Sequence, residues 1–471
     1  MINKIKEDSK ILFGKISDLG SDLKMPVYIV GGYVRDLILG FDGFDIDFVV
    51  VGDALIFCAE LNKKIKAGSM VSYPRFGTCM LQYQNHKIEF VTARTEIYQK
   101  DSRKPSVRKA DLLSDLSRRD FTINTIAMDI HSDRFGQITD PYNGKKDLDA
   151  GLIRTPLDPK QTFSDDPLRM MRAIRFSTKF DFKIDSATSS AITKTADRLK
   201  IISQERISAE FNKILLTKKP SLGINLLAQS GLLEIFFPEM INTQGVEQRE
   251  SHHHKDVYFH TLQVIDNIAQ ITDNLNLRLA GLFHDIAKPN TKRFDKKAGW
   301  TFHGHEVVGE RMSASILRRL KYSNETINYV CKIVRLHLRP MALVSEEVTD
   351  SAIRRLLFLA GDEFDDLMIL CRADITSKNP EKVKRYLNNY ANVLEKAKEV
   401  EARDKLRSFK SPVNGNEIMT IFSLSPGPEV GIYKKIIEEA ILSGEISNEH
   451  DAALSYIKNL QRYKRPDSSK T

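Results

Sequence analysis

The sequence predicts an α/β domain at the N-terminus followed by a long all-helical body. In the first third of the chain, short β-branched and aromatic segments such as VYIV at 27–30 and FDIDFVVV at 44–51 precede a helical pattern, ALIFCAELNKKI at 54–65. Further on, apolar residues recur every three to four positions, as in PLRMMRAIRF at 167–176 and VVGERMSASILRRL at 307–320. This change of period along one chain indicates two architectures joined in series.

Length and composition are typical of a multidomain globular protein. At about 150 residues per domain, 471 residues predict roughly three domains. The longest apolar run has only six residues, Ala54–Ala59, far fewer than the ~20 of a membrane-spanning helix, so we expect no membrane partner. We place the domain limits as follows: a head at 1–150, a helical neck at 151–245, a third domain at 246–385 and a helical tail at 386–471.

Charge and cysteine content concern the partner and the compartment. The chain has 71 Lys and Arg against 62 Asp and Glu, a net charge of +9, which favours a polyanionic partner such as nucleic acid but also fits a basic protein without one. No secretory h-region follows the N-terminus, so we expect a cytoplasmic protein. Four separated cysteines, never in CxxC spacing, predict buried thiols rather than disulfides or a zinc site: Cys58, Cys79, Cys331 and Cys371.

A glycine turn follows the first predicted strand. Gly31 and Gly32 lead directly into YVRDLILG, which has a helical pattern. Such a turn lets backbone N–H groups approach a phosphate, and Arg35 would lie one turn into the helix. The motif is neither a P-loop nor GxGxxG, and taken alone it also fits a simple turn.

Two aspartates follow on the next predicted strand. The strand period of two places Asp45 and Asp47 on one face, about 6.6 Å apart, and Ile46 and Phe48 on the other. Neighbouring carboxylates repel unless a cation lies between them, and oxygen ligands that leave room for phosphates suit Mg²⁺. An isolated pair would also fit a solvated strand face, but the preceding glycine turn favours a metal site.

Together these motifs resemble a known family. GGYVRD followed by FDIDFVV resembles the nucleotidyltransferase head of the DNA polymerase beta superfamily, and more narrowly class II CCA-adding tRNA nucleotidyltransferases and bacterial poly(A) polymerases. The resemblance implies a polymerase-beta-like mixed sheet, with Asp45 and Asp47 holding catalytic Mg²⁺. A third carboxylate often comes from a neighbouring strand in this family, and Glu89 is the candidate. It also implies that Gly32 and Arg35 hold the nucleotide's triphosphate.

A second segment, RRDFTINT at 118–125, is similar to the family's RRDFTxNA motif, with Thr125 in place of alanine. The resemblance implies that this segment holds the sugar and phosphates of the nucleotide, with Arg119 on the triphosphate. Taken alone, Arg118 and Arg119 also fit a solvated basic turn.

A third segment, DDPLRMMRAIRF at 165–176, predicts a helix whose N-cap is Asp166, with the proline as its first residue. It resembles the family's EDxxRxxR motif, with Asp165 in place of glutamate. The resemblance implies that Asp166 and Arg169 read the incoming base. Two further arginines of the same helix would line the pocket: Arg172 and Arg175. Without the resemblance, the segment fits a capped surface helix with a charged face.

An Asp–Arg pair suits CTP and ATP as substrates. Cytosine and adenine both present an amine donor beside a ring-nitrogen acceptor, so a carboxylate can accept from the amine while a guanidinium donates to the ring. Uracil and guanine present the reverse pattern and would leave a charge unpaired, at a cost of several kcal/mol.

Histidines and aspartates cluster in the middle of the body. A lone histidine usually belongs to the core, but His284 and Asp285 adjoin in an apolar helix, where a charge requires a partner. Imidazoles together with carboxylates suit a divalent transition metal. The order H…HD…H…H…D resembles the HD phosphohydrolase superfamily, with Lys288 in its HDxxK place.

The HD resemblance implies a metal-dependent attack of water on a phosphoester. Its primary ligands would be His260, His284, Asp285 and Asp374, and a second site would use His305 and His337. The alternative is a buried structural pair of His284 and Asp285.

The tail, VNGNEIMTIFSLSPGPEVGIYKKIIEEAILSGEIS, resembles the C-terminal segment of HD-containing CCA-adding enzymes, implying tRNA contact. The resemblance covers nearly the whole chain. It implies a cytoplasmic enzyme that adds CCA to the tRNA 3′ end from CTP and ATP, with an HD-domain phosphohydrolase side activity.

Two alternatives stay open. An A-adding enzyme or a poly(A) polymerase would use the same motifs, and a rival of another class is an HD phosphohydrolase with an RNA-binding head. Two features favour full CCA addition. One is the HD domain, which those poly(A) polymerases lack. The other is the polar stretch 95–117, expected to be a long loop that is shortened in relatives adding only CC.

Overall fold

The computed structural model describes residues 5–41, 45–84, 86–99, 102–250, 253–297, 299–345, 349–377, 379–407 and 409–464. The chain divides into two compact units, Met1–Pro238 and Glu239–Thr471. Across these described ranges, no helix combines the length and apolar composition that crossing a membrane requires.

The first unit contains a mixed sheet of seven strands and two accessory strand pairs. The strands are β1 Val27–Val30, β2 Asp45–Val50, β3 Met70–Tyr73, β4 Thr78–Tyr83, β5 His86–Thr92, β6 Arg94–Gln99, β7 Ser102–Lys109, β8 Ala127–Asp129, β9 Ile138–Thr139, β10 Leu152–Ile153 and β11 Lys183–Ile184. The sheet order is β3-β4-β5-β2-β1-β8-β9, in which β2 and β5 are parallel and the other neighbours antiparallel. The predicted mixed-sheet head is therefore confirmed.

The first unit also contains α-helices before, between and after the sequence motifs along the chain. They are α1 Glu7–Asp22, α2 Gly32–Leu39, α3 Ala54–Ile65, α4 Leu112–Ser117, α5 Gly144–Asp149, α6 Pro159–Asp165, α7 Leu168–Phe180, α8 Ser186–Thr195, α9 Gln204–Leu215, α10 Pro220–Gln229 and α11 Leu232–Phe236. The predicted helix over 54–65 has these limits, and Asp53 caps it by accepting hydrogen bonds from the backbone of Leu55 and Ile56.

The two faces of β2 differ as the strand period predicts. Ile46 and Phe48 are fully buried, and the Phe48 ring stacks on Phe90 of β5 with centroids 5.0 Å apart. Asp45 is exposed and Asp47 partly so on the other face. The apolar face fixes the strand in the core and thereby fixes where the two carboxylates point.

The polar stretch 95–117 is not a loop. β6 and β7 pair as an antiparallel hairpin, with Arg94 opposite Lys109, and α4 follows. The expectation of a long loop is wrong. A two-stranded hairpin has no wide buried face, so its side chains can be as polar as those of a loop, and composition does not distinguish the two. Residues 100 and 101 lie outside the described part.

The expectation of four free cysteines is also wrong. Cys58 on α3 and Cys79 on β4 form a disulfide, with Cα atoms 6.5 Å apart, whereas Cys331 and Cys371 are free thiols. Both bonded residues are fully buried. The packing of α3 on β4 joins positions separated by 21 residues, a proximity that sequence spacing does not reveal.

The second unit is predominantly helical, as predicted. Its helices, the first of which begins at the last residue of the first unit, are α12 Pro238–Ile241, α13 Val257–Ala269, α14 Leu275–Phe283, α15 Lys288–Thr291, α16 His305–Arg319, α17 Asn324–Leu336, α18 Leu338–Ser345, α19 Asp350–Ala360, α20 Phe364–Ala373, α21 Pro380–Asp404, α22 Gly415–Phe422, α23 Pro428–Ser443 and α24 His450–Lys464. Two hairpins accompany them: β12 Glu247–Glu250 with β13 His253–Asp256, and β14 Arg293–Asp295 with β15 Gly299–Thr301.

Candidate functional site

The glycine turn lies beside two charged groups of the head. Gly31 has φ = 70°, a conformation that favours glycine, and Gly32 begins α2. A Cβ atom at Gly31 would lie 3.1 Å from Arg119 Nη1 and 3.8 Å from Asp47 Oδ2. The turn therefore lets the Arg119 guanidinium approach the backbone next to the Asp47 carboxylate.

Three carboxylates share one region of the sheet. Asp45 and Asp47 come from β2, and Glu89 lies opposite Asp47 on the parallel strand β5. Burial raises the pKa of Asp47, an effect that Arg119 partly offsets and Asp45 reinforces. Burial also raises the pKa of Glu89, and the charge of Asp47 raises it further. The three groups thus repel one another, as expected where a cation is needed.

Arg35 lies deeper than the sequence suggested. It is buried, its Nη1 donates to Asn124 Oδ1 at 2.7 Å and its Nε to Asp36 Oδ1 at 2.7 Å. The guanidinium also lies 5.1 Å and 4.9 Å from the ring centroids of Phe176 and Phe180. Arg35 therefore links α2 to the 118–125 segment and to α7, and its contact with a triphosphate stays a prediction.

A buried aspartate orders the two arginines at 118 and 119. Asp115 on α4 is fully buried and accepts from Arg118 Nη2 at 2.5 Å and from Arg119 Nη2 at 3.0 Å. Burial alone would raise the pKa of Asp115, but Arg119 and Arg118 together lower it. Arg118 also pairs with Glu96 of β6 at 3.0 Å. The arginines are thus fixed in place rather than forming a solvated turn.

The 118–125 segment and α7 are joined through Asp120. Its carboxylate pairs with Arg172 at 2.5 Å and accepts from Asn124 Nδ2 at 2.9 Å. Burial would raise the pKa of Asp120, but Arg172 and Asn124, with Arg169, depress it far below its usual range. Two separate sequence motifs therefore form one charged cluster.

The start of α7 differs slightly from the prediction. The helix begins at Leu168, with Pro167 as its N-cap, one residue later than expected. The Asp166 carboxylate nevertheless accepts a hydrogen bond from the Leu168 N–H at 3.2 Å, as a capping side chain does from the backbone two residues further on. Arg169 Nη2 donates to the Arg118 carbonyl oxygen at 2.7 Å.

A cavity of 520 Å³ brings most of these groups together. Four of the predicted nucleotide-binding residues line it: Arg119, Asp166, Arg169 and Arg172. Gly32, Arg35 and Arg175 are not among its lining residues. Arg175 instead pairs with Glu210 at 2.8 Å and lies 4.2 Å from the Phe176 ring centroid. Burial lowers the pKa of Arg175, and Glu210 partly restores it.

Sequence reasoning missed several lining residues. Glu96 belongs to the unforeseen hairpin, and Arg206, Glu210 and Lys213 come from α9. Glu210 carried a signal, because it falls within the apolar stripe of α9 next to Phe211 and is itself buried. A carboxylate on such a stripe requires a partner, which here is Arg175.

In the second unit, the predicted HD residues form two overlapping clusters. His260, His284 and Asp285 make one, and Asp285 with His305 and His337 makes the other; each offers ligand atoms within 4.8 Å of one another. Asp374 joins the first, with its Oδ1 2.8 Å from His260 Nε2 and 3.5 Å from His284 Nε2. Lys288 pairs with Asp285 at 2.6 Å.

The imidazoles are oriented for metal binding. Three of them place Nδ1 within hydrogen-bond distance of a backbone carbonyl oxygen: His284 on Gly281, His305 on Phe302 and His337 on Val334. A carbonyl only accepts, so each Nδ1 is the donor, and in the neutral ring Nε2 carries a lone pair. His305 Nε2 and His337 Nε2 are 3.2 Å apart, a distance at which one metal ion can contact both nitrogens.

The electrostatics of this centre differ from ring to ring. Burial would lower the pKa of His284, but Asp285 and Asp374 raise it to about 10. Burial and the neighbouring His284 lower the pKa of His337 to about 3, although Asp285 opposes them. Two histidines and two carboxylates therefore form a strongly coupled buried cluster.

A cavity of 220 Å³ adjoins this centre. Its lining includes His260, Lys288 and Asp374, together with Tyr386 and Tyr390 of α21. The site thus combines candidate metal ligands with space for a small substrate.

Three family models match the chain. Residues 27–154 match the "Poly A polymerase head domain", residues 181–243 the "Probable RNA and SrmB-binding site of polymerase A", and residues 257–378 the "HD domain". The resemblances inferred from the glycine turn, the paired aspartates and the histidine pattern are confirmed at the level of family.

Two relatives are similar over most of their length. The A-adding tRNA nucleotidyltransferase of Deinococcus radiodurans is 31% identical over 353 residues, covering 73% of this chain and 78% of the relative. The Multifunctional CCA protein of Vibrio campbellii is 30% identical over 370 residues, covering 74% of this chain and 85% of the relative.

Among solved structures, the CCA-adding enzyme of Bacillus stearothermophilus in complex with CTP has a TM-score of 0.66 and 23% identity. The alignment covers 98% of this chain and 99% of that one. At this identity the likeness shows the fold.

Proposed function

Because the chain belongs to the tRNA nucleotidyltransferase family, we propose that it builds the 3′-terminal CCA of tRNA from CTP and ATP without a nucleic-acid template. In this reaction the tRNA 3′-hydroxyl attacks the α-phosphate of the nucleotide, and pyrophosphate leaves. This function is consistent with the cytoplasmic location that the sequence predicts.

The observation that carries the proposal is a single cavity that is lined by Arg119, Arg172, Asp166 and Arg169. Its volume of 520 Å³ suits a nucleotide, and its charged groups suit both ends of one. Arg119 is held by Asp115 and lies next to Asp47, where it would bind the triphosphate. Arg172, paired with Asp120, would form the wall behind the sugar.

Base selection would fall to Asp166 and Arg169. A carboxylate that accepts and a guanidinium that donates match the amine and ring nitrogen shared by cytosine and adenine. Arg169 already donates a hydrogen bond to the Arg118 carbonyl oxygen, which holds its guanidinium in place relative to residue 118. Asp45, Asp47 and Glu89 lie on the sheet and are not among the residues that line this cavity.

These carboxylates fit Mg²⁺. Asp45, Asp47 and Glu89 offer only oxygen donors and come from two adjacent strands. Burial raises the pKa of Asp47 and of Glu89, and the neighbouring carboxylates add to the rise. When bound, Mg²⁺ would activate the 3′-hydroxyl and stabilise charge on the phosphates. The protein's own contribution is to position the carboxylates through a buried strand face and to hold Arg119 beside them.

Incubation of tRNA lacking CCA with each nucleotide, followed by product sequencing, tests the proposal. We expect CC from CTP alone, CCA from CTP with ATP, and no product from UTP or GTP. An A-adding enzyme would ignore CTP and extend only tRNA that ends in CC. A poly(A) polymerase would continue past one adenosine. Either outcome would replace the proposal by that alternative.

We further propose a phosphohydrolase activity for the HD centre, supported by its paired clusters around Asp285. The donor set of imidazoles and carboxylates suits a transition metal such as Ni²⁺, Co²⁺ or Mn²⁺. His260, His284, Asp285 and Asp374 would hold one ion, and His305 and His337 would contribute to a second. A metal there would activate water for attack on phosphorus, breaking the P–O ester bond to the leaving alcohol. Assays with p-nitrophenyl phosphate and 2′,3′-cyclic AMP, with each metal in turn, test this.

A further inference from the structure

A hairpin that carries aromatic residues lies, in sequence, between two residues of the HD centre. β14 and β15 pair antiparallel between Lys288, which contacts Asp285, and His305, a member of the second cluster. Neither strand pairs with a third in the described part of the chain. A lone two-stranded hairpin is marginally stable by itself, so its side chains should show what it is for.

The hairpin presents two aromatic rings to solvent. Phe294 and Trp300 are cross-strand partners on one face, with ring centroids 5.2 Å apart at an interplanar angle of 75°. Phe294 is 66% exposed and Trp300 42%. Their contact stabilises the hairpin but leaves much of both rings in water. Two adjacent exposed aromatic rings form a stacking surface.

The surrounding charge is strongly positive. Between Lys288 and His305 the sequence contains four lysine or arginine residues and one aspartate. Lys292 Nζ lies 4.5 Å from the Trp300 ring centroid, so one cation is held directly at the aromatic face. Lys296 and Lys297 lie at the turn, where both are exposed. Exposed aromatic rings interleaved with cations match the bases and phosphates of a single strand.

The same hairpin is tied to the HD centre at both ends. Lys288, whose Nζ is 2.6 Å from Asp285 Oδ2, also lies 5.7 Å from the Phe302 ring centroid. The Phe302 carbonyl accepts from His305 Nδ1 at 2.8 Å. The hairpin is therefore flanked in sequence by residues that contact the HD centre, and an RNA strand stacked on it would lie close to those residues.

We propose that the β14–β15 hairpin is a binding platform for single-stranded RNA, which stacks bases on Phe294 and Trp300 and leads an RNA end to the HD centre. The occupant is RNA because the aromatic face and the positive charge lie together. The delivery step rests on the phosphohydrolase function proposed above; the binding step does not.

Trp300 is the only tryptophan of the chain, so its fluorescence reports on the hairpin alone. Titration of the full-length protein with a single-stranded RNA of about twelve nucleotides should quench Trp300 in a saturable manner, with free N-acetyltryptophanamide as the inner-filter control. Anisotropy of a labelled strand then measures the affinity of the variants. We expect Phe294→Ala with Trp300→Ala to bind about tenfold more weakly or worse, and Trp300→Phe to retain affinity because it retains the ring.

Two further variants separate stacking and charge from general surface effects. Ile271→Ala, which truncates another exposed apolar side chain of this unit, should bind like the wild type. Lys296→Ala with Lys297→Ala should reduce the slope of log affinity against log salt by about 1.4, since each phosphate contact on a single strand contributes about 0.7. Thermal unfolding of each variant checks that it is folded.

RNA binding that leaves Trp300 fluorescence unchanged, or that survives loss of both rings in a folded variant, overturns the proposal. So does a blue shift produced by anionic phosphatidylglycerol vesicles or by self-association instead of RNA. For delivery, the double aromatic variant should raise KM for end hydrolysis of an RNA oligonucleotide and leave kcat/KM for p-nitrophenyl phosphate unchanged. If the wild type hydrolyses neither substrate, the HD function fails while the fluorescence titration still decides RNA binding.

Discussion

Asp47 on β2 lies directly opposite Glu89 on β5, in the parallel strand pair of a sheet whose other neighbours are antiparallel. Parallel pairing places both carboxylates at the same level of the sheet and on the same face. Burial raises the pKa of each carboxyl group, and the charge of Asp47 raises that of Glu89 further, as expected where a cation would complete the site. This relationship leads to two predictions about the head.

Asp47→Asn should remove nucleotide addition, by more than about 100-fold, because an amide replaces a proposed metal-binding carboxylate. The same change should stabilise the metal-free fold at neutral pH. A raised folded pKa means that the folded state binds more protons than the unfolded state above about pH 4, so stability falls as pH rises through that pKa. Thermal unfolding in chelator, together with the addition assay, measures both effects.

Asp22→Asn, which alters an exposed aspartate of the same unit, should change neither quantity and serves as the matched control. Asp45→Ala should also lose activity, while tRNA binding persists. Incorporation at the wild-type rate by Asp47→Asn or Asp45→Ala would refute their assignment to the metal.

Glu89→Gln tests the third carboxylate. We expect kcat to fall by about 10- to 100-fold and the Mg²⁺ concentration at half-maximal activity to rise. The reason is that Glu89, on the neighbouring strand, would supply the third carboxylate of the metal site. Glu60→Gln on α3 is the control. If kcat and the Mg²⁺ midpoint are both unchanged, Glu89 is a passive neighbour of Asp47.

The sequence sufficed for features that local pattern determines. The period of two on β2 correctly separated buried Ile46 and Phe48 from Asp45 and Asp47, because the core selects one face of a strand. The histidine pattern, interpreted through its HD resemblance, predicted residues that the structure brings together in two clusters. Their role as metal ligands stays a prediction.

Features that depend on tertiary contact were not accessible in the same way. Asp115 orders Arg118 and Arg119 from α4, within the polar stretch expected to be a loop. Nothing in the sequence of that stretch marks which carboxylate will be buried. The Cys58–Cys79 bond likewise depends on how α3 packs on β4. Arg35 pointed to the phosphates by motif position, yet its described partners are Asn124 and Asp36.

Asp166 has two possible roles that mutation can separate. Replacing Asp166 and Arg169 so that donor and acceptor are exchanged should relax selection towards UTP or GTP, measured as the ratio of kcat/KM among the four nucleotides. Asp165→Asn, whose parent carboxylate accepts from Gln161 and does not line the cavity, is the matched control. Lower activity with strict preference for CTP and ATP would mean that Asp166 acts only as the acceptor for the Leu168 N–H.

The Asp120–Arg172 pair should make the stability of the head depend on acidity. The depressed pKa of Asp120 means that its stabilising effect is complete above the unfolded value of about 3.9 and is lost as pH falls towards the folded pKa. Arg172→Ala leaves a buried carboxylate without its main partner, so we expect it to cost about 3–5 kcal/mol at pH 7 and less at pH 3. Urea unfolding at both pH values measures this. Lys63→Ala, which breaks the exposed pair of Lys63 with Glu60 on α3, should change little. An equal cost at both pH values would contradict the electrostatic explanation.

The HD centre should bind its metal with release of a proton. In the metal-free protein the pKa of His284 is about 10, so at neutral pH the ring carries a proton that a metal must displace. Metal affinity should therefore rise by up to about tenfold per pH unit between pH 7 and 9. Calorimetry of Ni²⁺, Co²⁺ or Mn²⁺ binding, in buffers of different ionisation enthalpy, counts the protons released. A pH-independent affinity would show that His284 is already neutral.

The same pKa predicts a stability profile and separates the two activities. A folded pKa raised above 6.5 stabilises the metal-free protein fully below that pH, and this contribution is lost as pH rises through about 10. Bound metal replaces the proton and should flatten the profile of stability against pH.

His284→Ala with Asp285→Ala should abolish transition-metal-dependent hydrolysis and leave nucleotide addition nearly unchanged, because the predicted addition residues lie in the other unit. Asp285→Asn, of similar shape, guards against a folding defect. If His284 and Asp285 are only a structural pair, both activities and the melting temperature fall together, and mass spectrometry of the wild type finds no ion in this unit after titration with any of the three metals.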